Sequence, residues 1–333
     1  MKSKLKAGVI GVGHLGRFHL EKLLKIEDVE LVGFYDIDRE KADRIAGENS
    51  VRSAESLEEL IDACDVVSVV VPTVDHYDVA SKALESGCHV FCEKPLTETA
   101  EQGERLVDQA NRAGLKLGVG HIERFNPAIR AMRGRIGKPM FIEAHRLNPF
   151  NPRGLDVAVI LELMIHDIDL CLYFTRSEVS EIHASAVQVL SDKMDIANVR
   201  LKFESGCVAN LTASRISPTG MRKIRIFQRD NYLSFDLHKK KVDNFLLVDD
   251  QFETGRLEGF STSFEYGQTG KKIVYNQPAG DDYDMLEEEL CQFLRAVEAG
   301  DDPPVSGRDG FRALKIALEV QRQAAEQLAK VGG

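Results

Sequence analysis

Gly11, Gly13 and Gly16 form a Gly-x-Gly-x-x-Gly arrangement between an apolar run, Leu5 to Val12, and a helical pattern from about Leu15 to Leu24. The first glycine of such a loop permits a tight turn, the second lets the backbone approach a pyrophosphate, and the third lets helix and strand pack closely. The helix start that carries His14 and Leu15 adds amide donors for an anion. Asp36 ends the next apolar run, about 20 residues after Gly16. A carboxylate there accepts hydrogen bonds from dinucleotide ribose hydroxyls and repels a 2′-phosphate, so the stretch with Ile37 beside it predicts NAD over NADP. Arg39 is close enough in sequence to blur that preference.

Glu93-Lys94-Pro95 closes a further apolar run, His89 to Cys92. A lysine at the carboxyl end of a parallel strand can donate to a hydroxyl oxygen and stabilise alkoxide charge. The otherwise apolar segment Asp156 to Phe174 keeps Glu162, His166, Asp169 and Tyr173 on one stripe at helical spacing. A carboxylate one turn from an imidazole can fix its tautomer and raise its basicity, which makes His166 a candidate general base supported by Glu162. Arg124 and Asn126, in His121 to Pro127, and Arg153, in Pro149 to Gly154, are candidate substrate ligands; Arg124 can equally pair with an acid of the chain. A metal on His166 and Asp169 would lack further ligands at a recognisable spacing, so no metal is expected.

The elements that must carry these residues change in texture partway along the chain. Up to about His121, short apolar runs alternate with helical patterns, and uninterrupted runs such as Val66 to Val71 suit strands covered on both faces, hence a doubly wound parallel sheet. Beyond it, strands alternate apolar and polar residues, as in Val199, Leu201 and Phe203 against Arg200 and Lys202, which predicts an antiparallel sheet with one covered face. Expected strands there are Met140 to Leu147, Ile182 to Leu190, Val208 to Ser214, Lys223 to Gln228, Tyr232 to Leu237 and Phe245 to Val248. Two closing helices, Met285 to Ala299 and Gly310 to Lys330, flank Pro303-Pro304.

Composition limits what the chain can be. Its 333 residues allow two domains with well-covered cores, and 43% hydrophobic against 29% charged residues is a folded, not a disordered, balance. A net charge of −10 repels nucleic acid and anionic lipid. The one basic run, Lys239-Lys240-Lys241, reads as a solvated turn. Uncharged stretches stay far below the ~18 residues of a membrane span, and the basic Met1 to Lys4 runs into a strand without a signal-peptide core. A cytoplasmic protein with six reduced cysteines is expected.

Taken in order, the glycine loop, Pro72-Thr73 to His76, Glu93-Lys94-Pro95 and the Glu162 to His166 stripe resemble the Gfo/Idh/MocA oxidoreductase family over essentially the whole chain. The resemblance implies an NAD-binding Rossmann domain over 1–121, with Pro72, Thr73, His76, Glu93 and Lys94 at the cofactor. It implies a substrate-binding α+β domain over 122–306 whose open antiparallel sheet mediates homodimers or homotetramers, and a final helix, about 307–331, that packs back on the first domain. It further implies that Lys94 and His166 work at the hydroxyl being oxidised and that the Lys94-Pro95 bond can be cis.

Within the family, Gly120 to Pro127 and Met164 to Asp169 are similar to nucleotide-sugar dehydrogenases, which implies oxidation of the C3 hydroxyl of a UDP-N-acetylhexosamine such as UDP-N-acetylglucosamine. The other readings are a free-sugar or polyol dehydrogenase of the inositol or glucose type, and a non-catalytic NAD-binding regulator, which need not keep this lysine and histidine. Where the family more often has Asp one turn before the histidine, this chain has Glu162, with a longer arm and the same charge.

Overall fold

In the computed structural model, which describes residues 4–151, 157–267 and 269–331, the chain forms two units. The first comprises Met1–Ile122 with Asp284–Lys315, the second Glu123–Tyr283 with Ile316–Gly333. The first unit opens with β1 (Leu5–Ile10), α1 (His14–Leu23), β2 (Val29–Tyr35), α2 (Arg39–Asn49), α3 (Leu57–Asp62) and β3 (Val66–Val69). It continues with α4 (Thr73–Glu85), β4 (His89–Glu93), α5 (Ala100–Ala113) and β5 (Leu117–Gly120). All five strands pair in parallel, in the order β2-β1-β3-β4-β5. Phe34 also bridges in parallel to Ser53, so a single rung stands outside β2 where a longer Rossmann sheet has a strand. The order reverses between β1 and β3, and the carboxyl end of such a reversal is where open parallel sheets hold ligands. The glycine loop leaves β1 at that point.

Local chemistry explains most element ends. Asp38, Ser56 and Thr99 cap α2, α3 and α5 with their side chains, and Thr99 with Gln102 completes a capping box. β3 stops two residues short of the expected Val71 because the chain turns into α4.

The second unit holds α6 (Pro127–Ala131), β6 (Phe141–Leu147), α7 (Ile165–Thr175), β7 (Val179–Val187), β8 (Ile196–Phe203) and β9 (Val208–Ser214). Then follow β10 (Met221–Phe227), β11 (Asn231–Asp236), β12 (Lys241–Asp249), β13 (Phe260–Glu265) and β14 (Lys271–Gln277). The nine-stranded sheet runs β13-β14-β12-β11-β10-β6-β9-β8-β7. It is antiparallel except for one pair: β6 and β9 run parallel, which the alternating pattern alone does not predict. β13 and β14 are additions to the expected strands; β13 is an edge strand of mostly exposed serine, threonine and phenylalanine, so it lacks the buried alternation that marks a strand. β7 lies three residues earlier than expected, because the Asp195 carboxylate accepts the amides of Val189, Leu190 and Ser191 and curls the chain out of the sheet.

The chain then returns to the first unit with α8 (Met285–Ala299), followed by α9 (Gly307–Val331). The expected boundary at 306 is therefore corrected. Leu290, Phe293 and Leu294 of α8 belong to the first unit's core with Val9, Leu20, Phe34 and Phe91. A Cβ on Gly118 would come within 2.6 Å of the Phe293 ring, so the small residue on β5 makes the seat for α8. Each such buried aromatic or aliphatic side chain contributes about 1.5–3 kcal/mol relative to exposure. The Gly307–Lys315 stretch of α9 lies against the same strand, where a Cβ on Gly310 would meet Val119 at 2.5 Å. The remainder of α9 belongs to the second unit, so the helix is not confined to the first as the expected boundaries had it.

Candidate active site

In the first unit, the glycine loop is shaped by exclusion. Gly11 has φ +87, and a Cβ on it would sit 2.7 Å from the Val70 carbonyl oxygen. A Cβ on Gly16 would sit 1.9 Å from the Gly11 carbonyl oxygen, so helix and loop close on each other only without one. Gly13 differs: it is the N-cap of α1, no side chain caps that helix, and nothing lies within 4 Å of where its Cβ would be. Exposed His14 and Leu15 follow it. An uncapped helix start beneath open space fits the pyrophosphate of a dinucleotide, whose charge the first-turn amides and helix dipole favour.

Asp36 is buried and anchors this loop, its Oδ2 accepting the Val12 amide at 2.8 Å and its Oδ1 the Asp38 amide at 2.9 Å. Lys41 Nζ lies 2.9 Å from Oδ1. Burial pushes the Asp36 carboxyl up, but the Lys41 hydrogen bond and the two amides outweigh it and hold it below its ordinary value. The cation that touches Asp36 is thus Lys41, not Arg39. The Arg39 guanidinium is turned to the Ala54 carbonyl oxygen at 2.7 Å and to Glu55 at 3.0 Å. Ile37, 86% exposed, offers an apolar surface beside Asp36 on which an adenine can rest.

At the ends of β3 and β4, Pro72 is the N-cap of α4 and Thr73 its first residue. His76, expected at the cofactor, is buried instead, with Nδ1 2.8 Å from the Pro95 carbonyl oxygen and Nε2 2.9 Å from that of Val71. A neutral imidazole carries one N–H for these two acceptors. Burial pulls its pKa below the ordinary value while the carbonyls oppose that. His76 therefore ties the two loops together. Lys94 is half-buried, its bond to Pro95 is cis, and its amide donates to Glu93 Oε2 at 3.1 Å.

In the second unit, the expected four-residue stripe is broken. A π turn, Ile160–Met164, precedes α7, and the Ile165 amide reaches the Ile160 carbonyl five residues back. π turns inside helices recur at functional positions. Glu162 falls in that turn, 3.4 Å from Arg215 Nη1, while His166 sits half-buried in the first turn of α7. Arg215 is itself paired with buried Asp195 at 3.0 Å.

Two expected substrate ligands have partners within the second unit. Arg124 binds Asp169 with Nε at 2.8 Å and Nη2 at 2.6 Å, and its guanidinium carbon lies 4.9 Å from the centre of the Tyr173 ring. Asn126 is buried, caps α6 through Ala128, and donates to the Leu237 carbonyl at 3.0 Å and to Glu123 at 3.2 Å. Arg153 lies outside the described residues.

Sequence reasoning missed a buried ionic group around α7. Arg146 on β6 holds Asp167 with Nη2 at 2.8 Å and Glu123 with Nη1 at 2.7 Å, all three being nearly inaccessible. Burial pushes Glu123 up, but Arg146 and Arg222 outweigh it and hold its carboxyl below the usual range. The signal was present: Ile142 and Ala144 mark the covered face of β6, and Arg146 occupies the next position on that face, where an apolar residue is the norm. The pair His19 and Ser68, buried beneath Glu93, was also missed. Among the described residues, no cluster of three His, Cys, Asp or Glu could hold a metal, and no helix is long and apolar enough to cross a membrane.

Residues 5–121 match the family model described as an oxidoreductase family with an NAD-binding Rossmann fold, and 130–233 match the GFO/IDH/MocA C-terminal domain. The chain is 37% identical over 319 residues to UDP-N-acetylglucosamine 3-dehydrogenase of Acidithiobacillus ferrooxidans, covering 95% of this chain and 96% of that protein. The solved structure of that enzyme, GnnA, has a TM-score of 0.87 at 35% identity, covering 98% and 99%. To myo-inositol 2-dehydrogenase of Thermotoga maritima the chain is 27% identical over 345 residues, covering 97% of each chain.

Proposed function

This chain belongs to the GFO/IDH/MocA family of NAD-binding oxidoreductases, and on that premise we propose that it oxidises the C3 hydroxyl of a UDP-N-acetylhexosamine, UDP-N-acetylglucosamine first among them. The observation that carries the substrate class is the end-to-end likeness to a UDP-N-acetylglucosamine 3-dehydrogenase, 37% against 27% for an inositol dehydrogenase.

Gly11, Gly13 and Gly16 with the amides of His14 and Leu15 would hold the pyrophosphate of NAD, Asp36 its adenosine ribose, and Ile37 its adenine. Pro72 and Thr73 would line the nicotinamide side. When bound, NAD supplies the acceptor for the hydride leaving the carbinol carbon. His166 takes the hydroxyl proton, and the Lys94 ammonium donates to the same oxygen, so that negative charge never accumulates on it unsupported. Glu162 acts at one remove, by balancing the charge of Arg215 beside α7.

Incubation with NAD and a panel of UDP-sugars and free polyols, followed by reduced-cofactor absorbance, tests the substrate class. Activity confined to the polyols rejects it. Lys94→Ala and His166→Asn should each lower turnover by about 10²-fold while NAD still binds. Full turnover in both variants would remove lysine and histidine from the chemistry.

The reading carries with it a cytoplasmic location and a homodimer or homotetramer joined through the nine-stranded sheet. What supports the assembly is a file of aromatic rings across that sheet, Phe141, Phe227, Tyr232, Phe245, Tyr275 and Phe260, with neighbouring centroids 4.8–6.2 Å apart. Phe260 is 63% exposed. Light scattering that returns a monomer mass at micromolar concentration would remove this assembly.

A further inference from the structure

Beneath the Glu93-Lys94 turn lies a buried polar chain that the oxidation chemistry does not use. His19, on the inner face of α1, is fully buried. Its Nδ1 is 2.8 Å from Ser68 Oγ on β3, and its Nε2 is 3.1 Å from Glu93 Oε1 at the end of β4. The second carboxylate oxygen of Glu93 accepts the Lys94 amide at 3.1 Å. Burial pushes the Glu93 carboxyl up, but its contacts with His19 and Lys94 outweigh that and hold it below its ordinary value. An ionised carboxylate only accepts, so Nε2 carries the hydrogen, and in the neutral ring Nδ1 accepts from the Ser68 hydroxyl. Gly120 on β5 provides the space: a Cβ there would lie 2.7–2.9 Å from the Glu93 carboxylate atoms. A core histidine that is merely satisfied needs a partner at each nitrogen. In this chain the partner of one nitrogen in turn grips the backbone of Lys94.

We propose that His19 is a positioning residue, which acts through Glu93 to hold the backbone of Lys94 in fixed register with α1, the helix whose first turn carries the glycine loop. The proposal rests on Lys94 acting at the substrate hydroxyl. Its physical basis is the steep cost of misplacement: a shift of about 1 Å in a reacting geometry can cost about 10²-fold in rate.

Two substitutions separate this role from simple packing. In His19→Asn the side-chain amide overlies Nδ1 and keeps the Ser68 contact but cannot reach Glu93. In His19→Gln the amide overlies Nε2 and keeps a donor to Glu93. His19→Asn should lower kcat by about 10²-fold with the NAD dissociation constant, measured by calorimetry, nearly unchanged, and His19→Gln should recover most of that loss. A readout that needs no turnover runs beside it: in cofactor-free protein, the rate at which an amine-reactive reagent labels Lys94, followed by peptide mass spectrometry, should change in His19→Asn and not in His19→Gln. Wild-type kcat in His19→Asn, or equal losses and equal labelling in both variants, would overturn the proposal. Lys94→Ala serves as the reference. If it retains turnover, the role of Lys94 fails on its own account, and the labelling comparison still decides whether His19 positions that residue.

Discussion

In the first unit the glycine loop keeps its shape because atoms are missing: a Cβ on Gly16 would sit 1.9 Å from a carbonyl oxygen, and one on Gly11 2.7 Å from another. In the second unit α7, which carries His166, is held by charges taken out of water, Asp167 on Arg146 and Asp169 on Arg124. The two devices fail differently. Steric exclusion is broken by adding a methyl group and costs little to maintain, whereas a buried ion pair carries a desolvation penalty that only its complete set of partners offsets. The first therefore yields local, graded losses and the second a large loss when any one partner goes.

The largest expected effect is accordingly in the second unit. Arg146→Met alone strands Glu123 and Asp167 as buried carboxylates and should destabilise the fold by about 3–5 kcal/mol in denaturant unfolding. Replacing all three groups by apolar residues should restore most of that stability. Equal stability of Arg146→Met and wild type would show that charge does not hold α7.

Next come the glycines. Gly16→Ala should cost about 1–3 kcal/mol by overpacking. Gly13→Ala, with open space around it and an ordinary φ of −65, should leave stability within about 0.5 kcal/mol yet weaken NAD binding. Calorimetric titration of both variants separates shape from ligand contact. Equal NAD affinity in Gly13→Ala and wild type would contradict the fit of the pyrophosphate there.

A smaller effect appears with pH. Because the folded pKa of Asp36 lies below its unfolded value, its stabilisation is fully present above the unfolded value near ~4 and is lost as pH falls through the folded one. The stability gap between wild type and Asp36→Asn should be widest near neutrality and close on acidification. A gap independent of pH would mean that the carboxylate's charge is not what ties Asp36 to the loop. The smallest change expected is from Lys41→Met. Removing a partly exposed cation from Asp36 should alter the ratio of NADP to NAD affinity by only about 0.2–1 kcal/mol, against NADP. A shift toward NADP in fluorescence titrations would reverse the role of Lys41.

The same contrast explains what the sequence made legible. The doubly wound unit could be read because its requirements are local: glycine spacing, an aspartate at a strand end, and covered apolar runs, all set within one βαβ unit. The placement of Lys94 just after β4 and of His166 on a helix followed from residue type and spacing. The fold partners of Arg124 and Asn126, Asp169 and Leu237, were not legible because they lie 45 and 111 residues away, and no local pattern reports a long-range pair. The π turn escaped for a related reason, since one inserted residue leaves the apolar composition of the segment unchanged while rotating Glu162 off the stripe. Arg39 was expected beside Asp36, but Lys41, two residues on, holds that place, because side-chain direction at a helix start depends on which acceptors face it, Ala54 and Glu55 for the one and Asp36 for the other.

The central claim, that hydride leaves C3 of a nucleotide sugar, is tested most directly with UDP-N-acetylglucosamine carrying deuterium at C3. Incubation with the protein and NAD should give reduced cofactor that holds the deuterium, as read by mass spectrometry. Reduced cofactor without the label, or reduction seen only with free polyols, would contradict it.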